Sequence, residues 1–174
     1  MPFILVTPLS AVPDSIRRYS PSHLVTLLSP EHMIETPHGI PSDRHLRLAL
    51  NDVAGEWESD TPPAAHHIEK LVGFGHDWDA ELPILVHCWA GISRSMAAAY
   101  ILLCDRLGPG CEGEVAAALR NRAPHACPNA LMVRLADDLL NRNGRMIEAI
   151  QSIGRGRFTA VGECVELPIA LTEL

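Results

Sequence analysis

Lysine is nearly missing from this chain: Lys70 stands alone among 14 basic residues, so almost all the positive charge is arginine. Against 21 acidic residues this leaves a formal charge of −7, which excludes a global basic field for nucleic acid or an anionic membrane surface. Any anion site must then be an arginine site, whose planar fork reaches two oxygens at once. No apolar run approaches the roughly 18 residues of a membrane-spanning helix. The 5 cysteines (Cys88, Cys104, Cys111, Cys127 and Cys164) include no Cys-x-x-Cys pair, which argues against a zinc site, and their odd number argues against a disulfide framework. The apolar opening, Met1 to Val6, has no basic residue ahead of it and is too short for a signal peptide. It reads as a first strand, and a reducing, cytoplasmic setting is the expectation.

What is present is an ordinary globular composition. The 174 residues, 47% hydrophobic and 20% charged, suit one domain with a substantial core. Four short apolar runs mark strands in the first half: Phe3 to Val6, His23 to Leu28, His45 to Leu50 and Leu82 to Val86. The last lacks polar alternation, as expected of a strand covered on both faces. Helix signals lie between them, one from Ser10 and Pro13 to Tyr19, another opened by Thr61-Pro62 and weakened at Gly73 and Gly75. From Ser95 the texture is helical. Ser95 to Leu107 stops at Gly108-Pro109-Gly110, and Glu112 to Arg122 follows. Asn129 N-caps a third helix, which Asn143-Gly144 interrupts or ends, with Met146 to Ile153 as its candidate continuation. This alternation predicts an α/β fold, a central mostly parallel sheet of about four to five strands flanked by helices. Residues 1–154 form the main domain and 155–174 an extension, read as an edge strand around Val165 to Ile169 or a tail.

The chemistry concentrates in His87-Cys88-Trp89-Ala90-Gly91-Ile92-Ser93-Arg94-Ser95. An arginine six residues after a cysteine is weak evidence alone. Here the cysteine leaves a buried strand, Gly91 sits mid-loop, and the loop runs into a helix with Arg94 in its first turn. Successive backbone N–H groups and a helix N-terminus then face one centre, an anion cradle. Arg94 can fork onto two phosphate oxygens. Cys88 at its floor is favoured as the nucleophilic thiolate, and Ser95 can donate a hydrogen bond to the sulfur. The plainer alternative is a buried structural cysteine.

These residues resemble the signature of the cysteine-dependent protein tyrosine phosphatases, His-Cys-x-x-x-x-x-Arg-Ser/Thr, and most closely the compact dual-specificity branch. The likeness spans roughly residues 1–150. It implies a phosphatase domain over 1–154, Cys88 as nucleophile, Arg94 and Ser95 as catalytic partners, and Trp89, Ala90, Gly91, Ile92, Ser93 and Arg94 as the phosphate- or sulfate-binding loop. The family's general acid is an aspartate at the end of the preceding strand, which puts Asp52 in that role and leaves Asp60 as the fallback. Ala117 to Arg122, followed by Pro128-Asn129, looks like the helix pair that packs behind the loop. The Trp-Pro-Asp triplet of the larger tyrosine phosphatases is absent. The loop also carries no lysine, which lowers the expectation of a lipid substrate.

The resemblance implies phosphate monoester hydrolysis of a phosphorylated protein or peptide through a phosphocysteine, with no cofactor or metal and with neither nucleic acid nor membrane as partner. A nucleophile needed deprotonated and an acid needed protonated give a bell-shaped rate profile with an optimum of about pH 5–6.5. The rivals are a phosphatase of a small non-protein ester and an inactive phosphate-binding module. His87 reads as a buried scaffold residue and Cys104 as core. His66, His67 and His76 read as a solvated helix surface, because adjacent helical side chains diverge by about 100°. Trp57 and Trp89 are candidates for the pocket mouth.

Overall fold

The computed structural model describes residues 2–170. Five strands form one sheet: β1 (Phe3–Pro8), β2 (His23–Leu28), β3 (His45–Ala49), β4 (Ile84–Cys88) and β5 (Val165–Pro168), in the order β3-β2-β4-β1-β5. The first four are mutually parallel, and β5 runs antiparallel along β1 with Val6 opposite Val165. The helices are α1 (Val12–Tyr19), α2 (Ala65–Asp77), α3 (Arg94–Leu107), α4 (Glu112–Arg122), α5 (Ala130–Leu139) and α6 (Arg145–Ser152).

Strand periodicity divides the core. Ile4, Val6, Val25, Leu27, Ile84 and Val86 point to one face and join the large cluster with Met96, Ile101, Val115, Leu119 and Met132. Leu5, Leu24 and Leu85 point the other way and meet Val12 and Ile40 in a smaller cluster. Every residue of β2 and β4 is buried, which is why their sequences show no polar alternation. The edge strand β5 does alternate, with Val165 and Leu167 buried and Glu166 exposed.

The structure shifts some expected boundaries. The fourth strand starts two residues late and includes the cysteine. The Trp78 indole N–H donates to the Leu82 carbonyl at 2.8 Å, so Leu82 belongs to a turn. α2 passes through Gly73 and Gly75 to Asp77. A Cβ on Gly75 would lie 2.5 Å from Leu102 Cδ2, so this glycine lets α2 and α3 approach rather than ending the helix. Met146 to Ile153 does not continue α5. It is the separate α6, whose first turn is capped by the buried Asp137 carboxylate, 2.7 Å from Gly144 N and 2.8 Å from Met146 N.

Because β1 to β4 are parallel, their C-terminal ends share one edge, and β4 is inserted between β2 and β1 against the direction of the earlier crossover. Such a reversal leaves a crevice outside the strand ends. Pro8, Leu28, Ala49 and Cys88 all end there.

Candidate active site

Cys88 is buried at the end of β4, its Sγ 3.1 Å from the Ser95 hydroxyl in the first turn of α3. With the sulfur as thiolate, the hydroxyl is the donor. Between them the loop's carbonyls are turned outward and held. Trp89 O accepts from Leu9 N at 3.1 Å, Ala90 O from Gly162 N at 2.8 Å, and Ile92 O from Cys127 N at 3.0 Å. Ser93 O accepts from Ala97 N at 2.9 Å and Asn129 N at 3.3 Å. No cis peptide occurs among the described residues, and a trans peptide sets its N–H opposite its carbonyl. The N–H groups of Ala90, Gly91, Ser93 and Arg94 therefore point into the ring of the loop, an anion nest. Gly91 is obligatory there. Its φ is +70°, and a Cβ would lie 2.7 Å from Pro8 N and 2.9 Å from the Thr7 carbonyl carbon.

Arg94 is buried beneath this nest. It gives Nη1 to the Leu50 carbonyl at 2.8 Å, while its Nε is buried without a hydrogen-bond partner. That proton suits an incoming oxyanion. Asp52 Oδ2 is 3.9 Å from the same Nε. Asp52 Oδ1 accepts from Ser93 Oγ at 2.7 Å and Asn129 Nδ2 at 2.9 Å. With Oδ1 so occupied, Oδ2 is the oxygen left free to face an incoming group. The carboxylate keeps contact with water, its side chain 38% exposed. Asn51 organises the segment that carries it, giving Nδ2 to Ser29 Oγ at 2.9 Å and accepting from the Thr61 and Ser59 hydroxyls.

His87 is buried below the loop, and burial pushes its pKa down to about 4. Its Nδ1 faces the Cys88 carbonyl at 3.4 Å and its Nε2 lies 2.7 Å from Thr26 Oγ1. A carbonyl only accepts, so the neutral ring carries its proton on Nδ1 and Nε2 accepts from Thr26. The Thr26 oxygen then accepts from His45 Nε2 at 2.8 Å, and His45 Nδ1 accepts from Thr36 Oγ1 at 2.9 Å. Burial holds His45 near 4 as well.

Cys88, Arg94, Ser95 and Asp52 thus converge with loop residues 89–93. Trp89 is exposed and its ring lies 5.0 Å from that of His32, whereas Trp57 is 86% exposed. The His66 and His67 rings do not diverge as helix spacing suggests: their centroids are 3.9 Å apart. Rotation about the side-chain bonds brings them together, while His67 Nδ1 accepts from Ala64 N at 3.1 Å. Cys104 is buried in the core. Among the described residues no helix is long and apolar enough to cross a membrane.

Sequence reading gave Asn129 only its capping role. Its Oδ1 does accept from Met132 N at 3.0 Å, but its Nδ2 reaches Asp52 and the Val53 carbonyl at 3.0 Å. One amide therefore joins α5 to the segment carrying Asp52. No spacing signal reveals a contact across that much chain.

No family model and no curated protein matches the chain. Solved structures do. A structure of DUSP15 superposes with a TM-score of 0.62 at 19% identity, covering 88% of this chain and 91% of that one. PTPMT1 in complex with PI(5)P gives 0.57 at 17% identity, covering 83% and 90%. Tk-PTP in its active form gives 0.54 at 14% identity, covering 79% and 89%. The chain has the fold of the cysteine-dependent tyrosine and dual-specificity phosphatases.

Proposed function

We propose that this protein is a cytoplasmic, metal-independent cysteine phosphatase of the tyrosine or dual-specificity type, acting on phosphorylated proteins or peptides. The observation that carries this reading is one constellation. A cysteine sulfur lies 3.1 Å from a serine hydroxyl inside a loop whose carbonyls are tied outward, and an aspartate is fastened to that loop at Ser93. The fold shared with phosphatase structures supports it.

The chemistry follows from the parts. The Cys88 thiolate attacks phosphorus in line, forming an S–P bond as the P–O bond to the leaving group breaks. Arg94 and the loop N–H groups hold the equatorial oxygens as charge redistributes. Asp52 passes the proton on Oδ2 to the leaving oxygen. Asp52, now a base, takes a proton from water as that water attacks the phosphocysteine. The S–P bond breaks, inorganic phosphate leaves, and thiolate and acid are restored. Ser95 steadies the sulfur as a leaving group in this second step.

A second reading, a non-protein ester such as a phosphoinositide headgroup, is favoured by the PTPMT1 structure solved with PI(5)P. Against it, residues 89–93 offer no cationic side chain and Asp52, which accepts from Ser93, is acidic. The test is hydrolysis of p-nitrophenyl phosphate, a phosphotyrosine peptide and PI(5)P in EDTA, from pH 4.5 to 8. The expected result is a bell-shaped profile with the peptide preferred, no turnover by Cys88→Ser, and loss of the limb governed by the acid in Asp52→Ala. Preference for PI(5)P selects the second reading. Phosphate binding without turnover in the wild type defeats both and leaves a binding module.

A further inference from the structure

The segment following α6 is tied to the turn between α4 and α5 at several points and reaches the Cys88–Ser95 loop at Gly162. Arg120, near the end of α4, gives Nη1 to the Pro124 carbonyl and Nη2 to the Gly154 carbonyl, both at 2.8 Å. The Arg157 N–H returns to Pro124 O at 2.7 Å. A Cβ on Gly156 would lie 2.5 Å from Ala126 O, so the segment lies flush on the turn between α4 and α5. Farther along, Gly162 N–H holds the Ala90 carbonyl at 2.8 Å. A Cβ there would lie 2.8 Å from the Gly91 carbonyl oxygen and 2.7 Å from His125 Nε2. His125 is itself 3% exposed, and that Nε2 has no hydrogen-bond partner. The Gly91 peptide is thereby gripped from both sides, by Thr7 and Pro8 on one and by Gly162 on the other.

We propose that Gly162 and His125 are positioning residues of the catalytic loop, and that residues 154–168 complete the wall that fixes its N–H groups. The extension is then part of the anion site, not an appendage to it. A backbone-to-backbone hydrogen bond sets the Ala90 peptide plane, and the absence of a side chain at residue 162 leaves room for His125 beside the Gly91 carbonyl. Displacing either turns N–H donors away from the oxyanion, and misplacement by about 1 Å can cost about 100-fold in rate.

The inference rests on the phosphatase reading for its activity readout only, since anion binding reports on the loop independently. Gly162→Ala and His125→Ala are made in the full chain, with Phe158→Ala, which is exposed in the same segment, as control. Orthovanadate affinity is measured by calorimetry, kcat and KM on p-nitrophenyl phosphate, and folding by circular dichroism and melting. The expected result is about 10- to 100-fold weaker vanadate binding and a similar fall in kcat in Gly162→Ala, at temperatures where the variant is folded, with Phe158→Ala like wild type. A folded Gly162→Ala within twofold of wild type in both overturns the proposal, as does an equal loss in Phe158→Ala. If Gly162→Ala does not fold, His125→Ala decides on the same criteria. If the wild type neither hydrolyses nor binds vanadate, the phosphatase reading fails. Deuterium exchange of amides 89–94 then tests the positioning: faster exchange in the variant supports it and unchanged exchange overturns it.

Discussion

Two buried arginines meet a carboxylate in this protein, with different results. Arg142, between α5 and α6, gives Nη1 to Glu112 at 3.3 Å and Nη2 to the Cys104 carbonyl at 2.9 Å. Glu112 is 3% exposed and also receives Arg145 Nε and Gly110 N. Arg94, equally buried, faces a carboxylate that stays in water, stands 3.9 Å from it and gives Nη1 to a backbone carbonyl. The first carboxylate is sealed among its own neighbours and the pair serves as a brace, although Arg142 Nε, like Arg94 Nε, has no hydrogen-bond partner. The second leaves Asp52 Oδ2 in contact with solvent and open to a third party. Residue type and burial are alike, so the distinction lies in whether the carboxylate is sealed from solvent.

The comparison is sharpest under substitution. Arg94→Lys keeps the charge and loses the fork; kcat on p-nitrophenyl phosphate should fall about 1,000-fold, with the melting temperature little changed. Glu112→Gln should do the reverse. Breaking a buried pair costs about 3–5 kcal/mol, visible as a lower urea midpoint, while kcat measured on the folded fraction stays near wild type.

Acid probes the histidine chain beneath the site. His87 and His45 have folded pKa values depressed to about 4, so the unfolded chain binds more protons between that value and about 6.5. Their contribution to stability is complete above about pH 6.5 and is lost as pH falls through 4. For fully buried His87 this is on the order of 2–3 kcal/mol. Urea midpoints across pH 4 to 7 should show that slope, and Thr26→Val, which removes the hydroxyl between the two rings, should alter it. Asn129→Ala has the smallest effect. It frees Asp52 from α5 without removing the acid, so kcat should fall about 10-fold, with KM nearly unchanged.

Much of this was legible in the chain. The apolar runs ending at Val6 and Leu28 are strands because a parallel strand covered on both faces needs mostly apolar residues, whereas the edge strand β3 alternates Leu46 and Leu48 with exposed Arg47. The loop from Cys88 to Ser95 was readable because all its parts are consecutive. Asp52 could be chosen over Asp60 because it alone ends such a run. The unread parts depend on distant partners. Gly75 looks like a helix breaker until Leu102 lies against it. Asn129 looks like a cap until its second hydrogen-bonding group finds Asp52. Gly162 carries no signal at all, since its meaning is the space it leaves for His125 and the Gly91 carbonyl.

The sheet's edge has a consequence for synthesis. β1 leaves the ribosome well before β5, yet β5 covers β1's outer edge. Until residue 168 emerges, the apolar strand Phe3 to Val6 presents open N–H and C=O groups along that side, a template for pairing with another chain. Nascent chains, or chains truncated before β5, should therefore aggregate through β1, and a chaperone that shields this edge would be needed until β5 has emerged.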